Sequence, residues 1–351
     1  MQVGFRILAA FLLCLIFGTA FAGSSNIDRV RQILRKEIKF SRFDEVRLGP
    51  SRACPAWINT ENTPLFCQRL DVVYRGVYTS GMLIHSEDGS GELTIYHVGH
   101  EAGAAKAFSD PGKLESSVIG EDAAWLVNQF LRTRSDVLIL FMPGAGFSPE
   151  GNRFSNETKR LHGMLATHSV FSMLDFAGDS AAAYFIAHVR GFLDRYASSY
   201  SKISMVGRSG GGWVTTLAAA FDQRIQCSVS VFGTLPMKLR LPVDGDDRND
   251  LGDFEQHGLM LFKKLDYLDL YALASLPKRQ HGLILNETDD CCFSGKVKGR
   301  LMWGEFNDKY PEVRGFIWLN LPPRSDSDHM NLDKFALAAI RKVCPRYWAG
   351  G

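Results

Sequence analysis

The sequence predicts an α/β fold: a mostly parallel central sheet, helices on both faces, and a small lid-like insertion. Three observations carry this. Short continuous apolar runs such as "DVLILFM" and "KISMVG" recur along the chain, as strands buried on both faces require. Longer stretches with helical spacing alternate with them, as in "GEDAAWLVNQFLRTR" and "SAAAYFIAHVRGFLDRYASSY". The 351 residues are 46% hydrophobic and 22% charged with a formal net charge of +2, which fits an ordinary globular chain and excludes a disordered, collagen-like or nucleic-acid-binding composition.

In chain order, residues 1–22 come first. They hold an early Arg6, an apolar run from Ile7 to Phe17, and the small-residue end Ala20-Phe21-Ala22. That is the pattern of a secretory signal with cleavage near Ala22, so the chain is expected to be exported to the periplasm or secreted. The run is shorter than the roughly 20 residues of a membrane helix, and no later segment is apolar enough to span, so no integral membrane domain is expected. Residues 23–70 read as an N-terminal extension. It holds a surface helix in "IDRVRQILRKEIKF" and a loop flanked by Cys54 and Cys67. Without Cys14, six cysteines remain, an even number that suits disulfides in an oxidising compartment. Cys54 with Cys67 is the first expected pair and Cys291 or Cys292 with Cys344 the second. Cys227, inside "IQCSVSVF", is expected to be a buried free thiol.

Residues 71–351 read as the catalytic domain. Strands are expected in "DVVYRGVYTSG", then separately in "GMLIHS", then in "ELTIYHV". Helix, strand, helix, "KISMVG" and the helix "GGWVTTLAAAFD" follow, then the strand "IQCSVSVFG". Residues 235–279 carry the acidic run "DGDDRNDLGDFEQH" and the helix "LDYLDLYALASL", and form the lid-like insertion. The strands "HGLILNE" and "GFIWLNLP" and the helix "LDKFALAAIRKVC" close the chain.

The chemistry concentrates at Gly207-Arg208-Ser209-Gly210-Gly211, a G-x-S-x-G between a strand and a helix. A serine on so sharp a turn has strained backbone angles and an exposed hydroxyl, and side chains two residues either side would collide with strand and helix. The helix start also aims free N–H groups at the reaction centre. A nucleophilic serine needs a base and the base an orienting acid. His329, in the loop after the last strand, is the candidate base. Asp289 is the candidate acid and Asp290 the alternative, both after "GLILNET". For the oxyanion, Gly210 is the first candidate N–H donor. His100 of "YHVGH" is the second, with "FMPGAGFS" a rival source. The pair His97 and His100 and the carboxylates Asp244, Asp246 and Glu255 are too incomplete as ligand sets for a metal site to be expected. Arg208 is read either as a contact to polar substrates or as a solvent-facing charge.

Together "VGRSGGGW", "TDD", "SDSDHMN" and "YHVGH" resemble the α/β-hydrolase superfamily, most of all its secreted esterase and acetyl-esterase members. The resemblance covers roughly residue 72 to the C-terminus. It implies a serine-dependent carboxylic ester hydrolase that works through an acyl-enzyme without a cofactor. Its substrates would be small-molecule or glycan esters, such as acetylated sugars. A prolyl-oligopeptidase-type peptidase or amidase, and a non-catalytic binding protein of the same fold, are the alternatives.

Overall fold

The computed structural model describes residues 26–59, 64–87, 91–100, 114–143, 171, 180–287, 289, 293–322 and 334–348. The signal-like segment 1–22 lies outside them. Helix α1 spans residues 26–37. Its Ile27, Val30 and Leu34, with Ile38 just beyond, are buried at helical spacing, so one stripe of the charged segment faces the core. Next come β1 (Glu45–Leu48), β2 (Arg52–Ala53), β3 (Leu65–Tyr74), β4 (Val77–Ser86) and β5 (Glu92–His97). They are followed by α2 (Ser116–Ile119), α3 (Glu121–Arg132), β6 (Asp136–Leu140), α4 (Ala181–Tyr196), β7 (Lys202–Arg208), α5 (Gly210–Phe221) and β8 (Cys227–Val231). The last elements are α6 (Phe254–His257), α7 (Tyr267–Ala274), β9 (Gln280–Asn286), α8 (Arg300–Lys309), β10 (Phe316–Leu321) and α9 (Lys334–Val343).

The strands form one sheet in the order β1-β3-β4-β6-β5-β7-β8-β9-β10, with β2 paired to β3. The pairs β1–β3, β3–β4 and β4–β6 are antiparallel. Every pair from β6–β5 through β9–β10 is parallel. Alternate residues of the central strands feed two cores. Leu138, Leu140, Ile203 and Met205 pack with α1, α4, α5 and α7. Val137, Ile139 and Val206 pack with α3 and α9. This is an α/β fold with both faces covered, as the apolar runs require.

The order also locates a crevice. From β5 the chain continues through α3 to β6 on one side. From β7 it continues through α5 to β8 on the other. β5 and β7 are nonetheless neighbours, with His97 paired to Gly207. Where connections diverge like this, the carboxyl ends of the two strands leave an opening between them.

Three expectations are corrected. "DVVYRGVYTSG" and "GMLIHS" do not break at Gly81; β4 runs through it, because a Cβ there would stand 2.5 Å from the Ile139 carbonyl oxygen. The glycine marks a close strand approach rather than a turn. Cys227 is not a free thiol: it is bonded to Cys344, their Cα atoms 6.1 Å apart, across the face where α9 packs on the sheet. Cys344 therefore does not pair with Cys291 or Cys292, which lie outside the described residues. Cys54 and Cys67 are bonded, as expected. Strands β1 and β2 and helix α8 were not foreseen, and β3 crosses residues 70 and 71, so segment 23–70 contributes strands to the same sheet.

Candidate active site

β7 runs straight into Ser209, and α5 begins at the next residue. Ser209 has φ 52° and ψ −126°, a left-handed conformation that non-glycine residues rarely hold. Two main-chain hydrogen bonds fix it. Its N–H donates to Val231 O at 2.9 Å, and its carbonyl accepts from Trp213 N–H at 3.1 Å. The surrounding glycines are required by space. A Cβ at Gly207 would lie 2.1 Å from Gly211 O, and one at Gly233 would lie 2.6 Å from Ser209 O. Strand, turn, helix and the neighbouring β8 end thus meet backbone to backbone around one half-buried serine.

The end of β5 closes the other side. A Cβ at Gly99 would come 2.8 Å from Arg208 O and 3.1 Å from Ser209 Cβ. Val98-Gly99-His100 therefore lies directly against Arg208-Ser209-Gly210. The imidazole of His100 covers Gly210, where a Cβ would touch Cε1 and Nδ1, each at 2.3 Å. That ring is paired on both edges. Nδ1 is 3.1 Å from Asp253 Oδ2, and Nε2 is 2.7 Å from Glu255 Oε1. Burial pushes the His100 pKa down, but the two carboxylates outweigh it and raise it to about 10. His97 points elsewhere. It is fully buried, with Nδ1 at 2.8 Å from Val98 O and Nε2 at 2.8 Å from His188 Nε2. Burial drives His97 down to about 3 and His188 well below its ordinary value.

Ligand atoms of His100, Asp253 and Glu255 lie within 4.8 Å of one another, close enough to surround a cation. The ring, however, turns one nitrogen to each carboxylate, whereas a metal takes only one of the two. The arrangement is a doubly paired imidazole.

Arg208 is not a solvent-facing charge. Its side chain is 1% exposed and its guanidinium pairs with Asp122 in the first turn of α3. It ends a strand that is buried from Ile203 onward, so its charge had to be met inside the protein.

Asp289 lies beyond the carboxyl end of β9, fully buried, on the same sheet edge as Ser209. Arg248 Nη1 donates to its main-chain oxygen at 2.5 Å. Arg248 also pairs with Asp246 and holds that carboxyl below its usual range. Lys298 Nζ, itself buried, donates to Arg248 O at 2.6 Å and to Asp250 Oδ2 at 3.2 Å. The acidic run of the insertion is thereby fastened to the Asp289 loop. Asp290 and His329 lie outside the described residues. Asp122, Arg248, Asp253 and Glu255 escaped sequence reasoning as partners, since only the acidic run itself was visible there.

No family model matches the chain, and no curated protein matches it in sequence. Solved structures share its fold. A methylesterase superposes with a TM-score of 0.56 at 16% identity over 92% of this chain, which spans 63% of that protein's length. A promiscuous esterase from a marine bacterial metagenome gives 0.56 at 12%, over 90% of each chain. A glucuronoyl esterase from Solibacter usitatus gives 0.53 at 11%, over 90% of this chain and 91% of that one. The fold is that of the α/β-hydrolases.

Proposed function

We propose that this protein is an exported serine hydrolase of carboxylic esters. The observation that carries the reading is Ser209, held at positive φ between glycines at the carboxyl end of β7, in the crevice between β5 and β7. Ser209 would attack the acyl carbon and pass its proton to His329, with Asp289 orienting that base. The N–H groups of Gly210 and His100 would hold the oxyanion. His329 would then activate water to release the acid.

Ester rather than amide chemistry is supported by the names of the solved neighbours, which act on esters. Small acyl or methyl esters of sugars are the substrate class we favour. Export is supported by the signal-like residues 1–22 and by two disulfides, which persist in oxidising compartments.

The test is covalent labelling with a fluorophosphonate, alongside hydrolysis of a panel of chromogenic esters. Wild type is expected to label and turn over, and Ser209→Ala to do neither. A wild type that neither labels nor cleaves any ester would sink the reading.

A further inference from the structure

The insertion between β8 and β9 sends two carboxylates to the elbow. The Glu255 side chain is 1% exposed, and His100 Nε2 lies 2.7 Å from its Oε1 as an ion-pair contact. A carboxylate so buried requires a positive partner. On the ring's other edge, Nδ1 faces Asp253, whose side chain is 50% exposed. A neutral imidazole has one N–H; only the imidazolium donates from both nitrogens. The Nδ1–Cε1 edge of that ring rests on Gly210, the first residue of α5. A cation at a helix N-terminus opposes the helix dipole, so something other than the helix keeps it there.

We propose that the His100 imidazolium is a fixed positive charge of the oxyanion site, and that Asp253 and Glu255 are positioning residues that keep it charged and in place. The proposal rests on the ester-hydrolase reading. When Ser209 Oγ bonds to the acyl carbon, the carbonyl π pair moves onto oxygen and the serine proton passes to His329. Negative charge then appears beside the Gly210 N–H, next to the imidazolium. A preoriented charge at that point stabilises the transition state more than the bound ester.

Among the described residues, the groups that face His100 are few. His97, on β5, is neutral. Asp253, Glu255 and His257 come from α6 and its start, and burial holds His257 below its ordinary range. Arg240, buried over the Tyr267 and Phe293 rings at 4.7 Å from each, reaches Gln256 on the same short helix. His100 and Arg240 thus balance Asp253 and Glu255, so the carboxylates do not leave the elbow net negative. The pairing that raises His100 to about 10 keeps the ring charged across neutral pH.

The experiment is the pH dependence of kcat on a neutral ester, with an NMR titration of the His100 ring, in wild type, Glu255→Gln and Asp253→Asn. In wild type the His100 signal is expected to titrate near pH 10 and kcat to persist up to that range. In Glu255→Gln both should move down together by about 1–3 units, the effect of losing one close opposite charge, with kcat changing more than KM. Asp253→Asn, at an exposed carboxylate, should fold in any case and give a smaller shift of the same sign. An active enzyme whose kcat limb stays put while the His100 titration moves would overturn the proposal. So would a His100 that is neutral at pH 7. Activity abolished by EDTA and restored by zinc would overturn it too, in favour of a metal on the same side chains. A wild type inactive on every ester would instead sink the hydrolase reading.

Discussion

Gly211 and His97 meet backbone to backbone: a Cβ on Gly211 would stand 2.1 Å from the His97 carbonyl oxygen. Neither main chain can retreat, since His97 is hydrogen-bonded into the sheet beside Gly207. Gly210 differs, because its nearest obstacle is a side chain, the His100 ring, rather than backbone. Gly211→Ala is therefore expected to give little folded protein. Gly210→Ala should fold with a modestly lowered melting temperature and lose most of the ester hydrolysis proposed for the wild type. Thermal melts and fluorophosphonate labelling of both variants check this. A Gly211→Ala protein as stable as wild type would refute the packing argument.

Arg248 ties the insertion to the main chain of Asp289. Arg248→Ala should let the Asp289 loop shift without unfolding the sheet. Small misplacements of an orienting group cost about 10- to 100-fold in rate. We expect a kcat loss of that order, with KM nearly unchanged, measured by steady-state kinetics on one ester.

The two disulfides should contribute unequally. Cys227–Cys344 joins residues 117 apart in sequence and Cys54–Cys67 residues 13 apart. Constraint of the unfolded chain grows with loop length, from about 3 kcal/mol for a short loop to about 4.7 kcal/mol for one near 100 residues. Paired Cys→Ser variants, compared by urea unfolding, should show the larger loss at Cys227 and Cys344.

Acid should destabilise the fold before the carboxylates are fully protonated. Burial holds His97 and His281 at about 3 and His188 well below its ordinary range, so all three stay neutral in the folded state. The unfolded chain binds those protons below about pH 6.5. The contribution of these three rings is thus intact above 6.5 and falls as pH drops toward 3, by up to about 1.4 kcal/mol per pH unit for each ring. Urea midpoints between pH 7 and 4 should decline, and more gently in His281→Gln.

What the sequence revealed was local. The elbow at residues 207–212 was legible because strand, turn and helix are contiguous there and Gly207 answers a collision with Gly211 within the motif; the obstacles at Gly210 and Gly211, the His100 ring and the His97 carbonyl, come from β5 and its end. The central strands were legible because a strand covered on both faces is apolar at every position. Gly81 misled because a glycine in a strand and a glycine in a turn look alike until the neighbouring strand β6 is in place. Cys227 misled because its partner is 117 residues away. Arg208 misled because the direction of a side chain at a strand end depends on α3, whose Asp122 receives it. The carboxylates Asp253 and Glu255 were visible as an acidic run, but their destination at His100 is set by the path of the whole insertion. His329 falls outside the described residues.

The bond between Cys227 and Cys344 imposes an order of assembly. It cannot close until residue 344 has emerged from the machinery that makes or moves the chain. Every residue from β9 through α9, and with them Asp289 and His329, is enclosed by that covalent ring once it forms. The nucleophile strand precedes the ring and can be placed early. The segments proposed to activate it are locked last, so a chain stalled before Cys344 would carry its serine while the stretch that holds Asp289 and His329 is still unclosed by the bond.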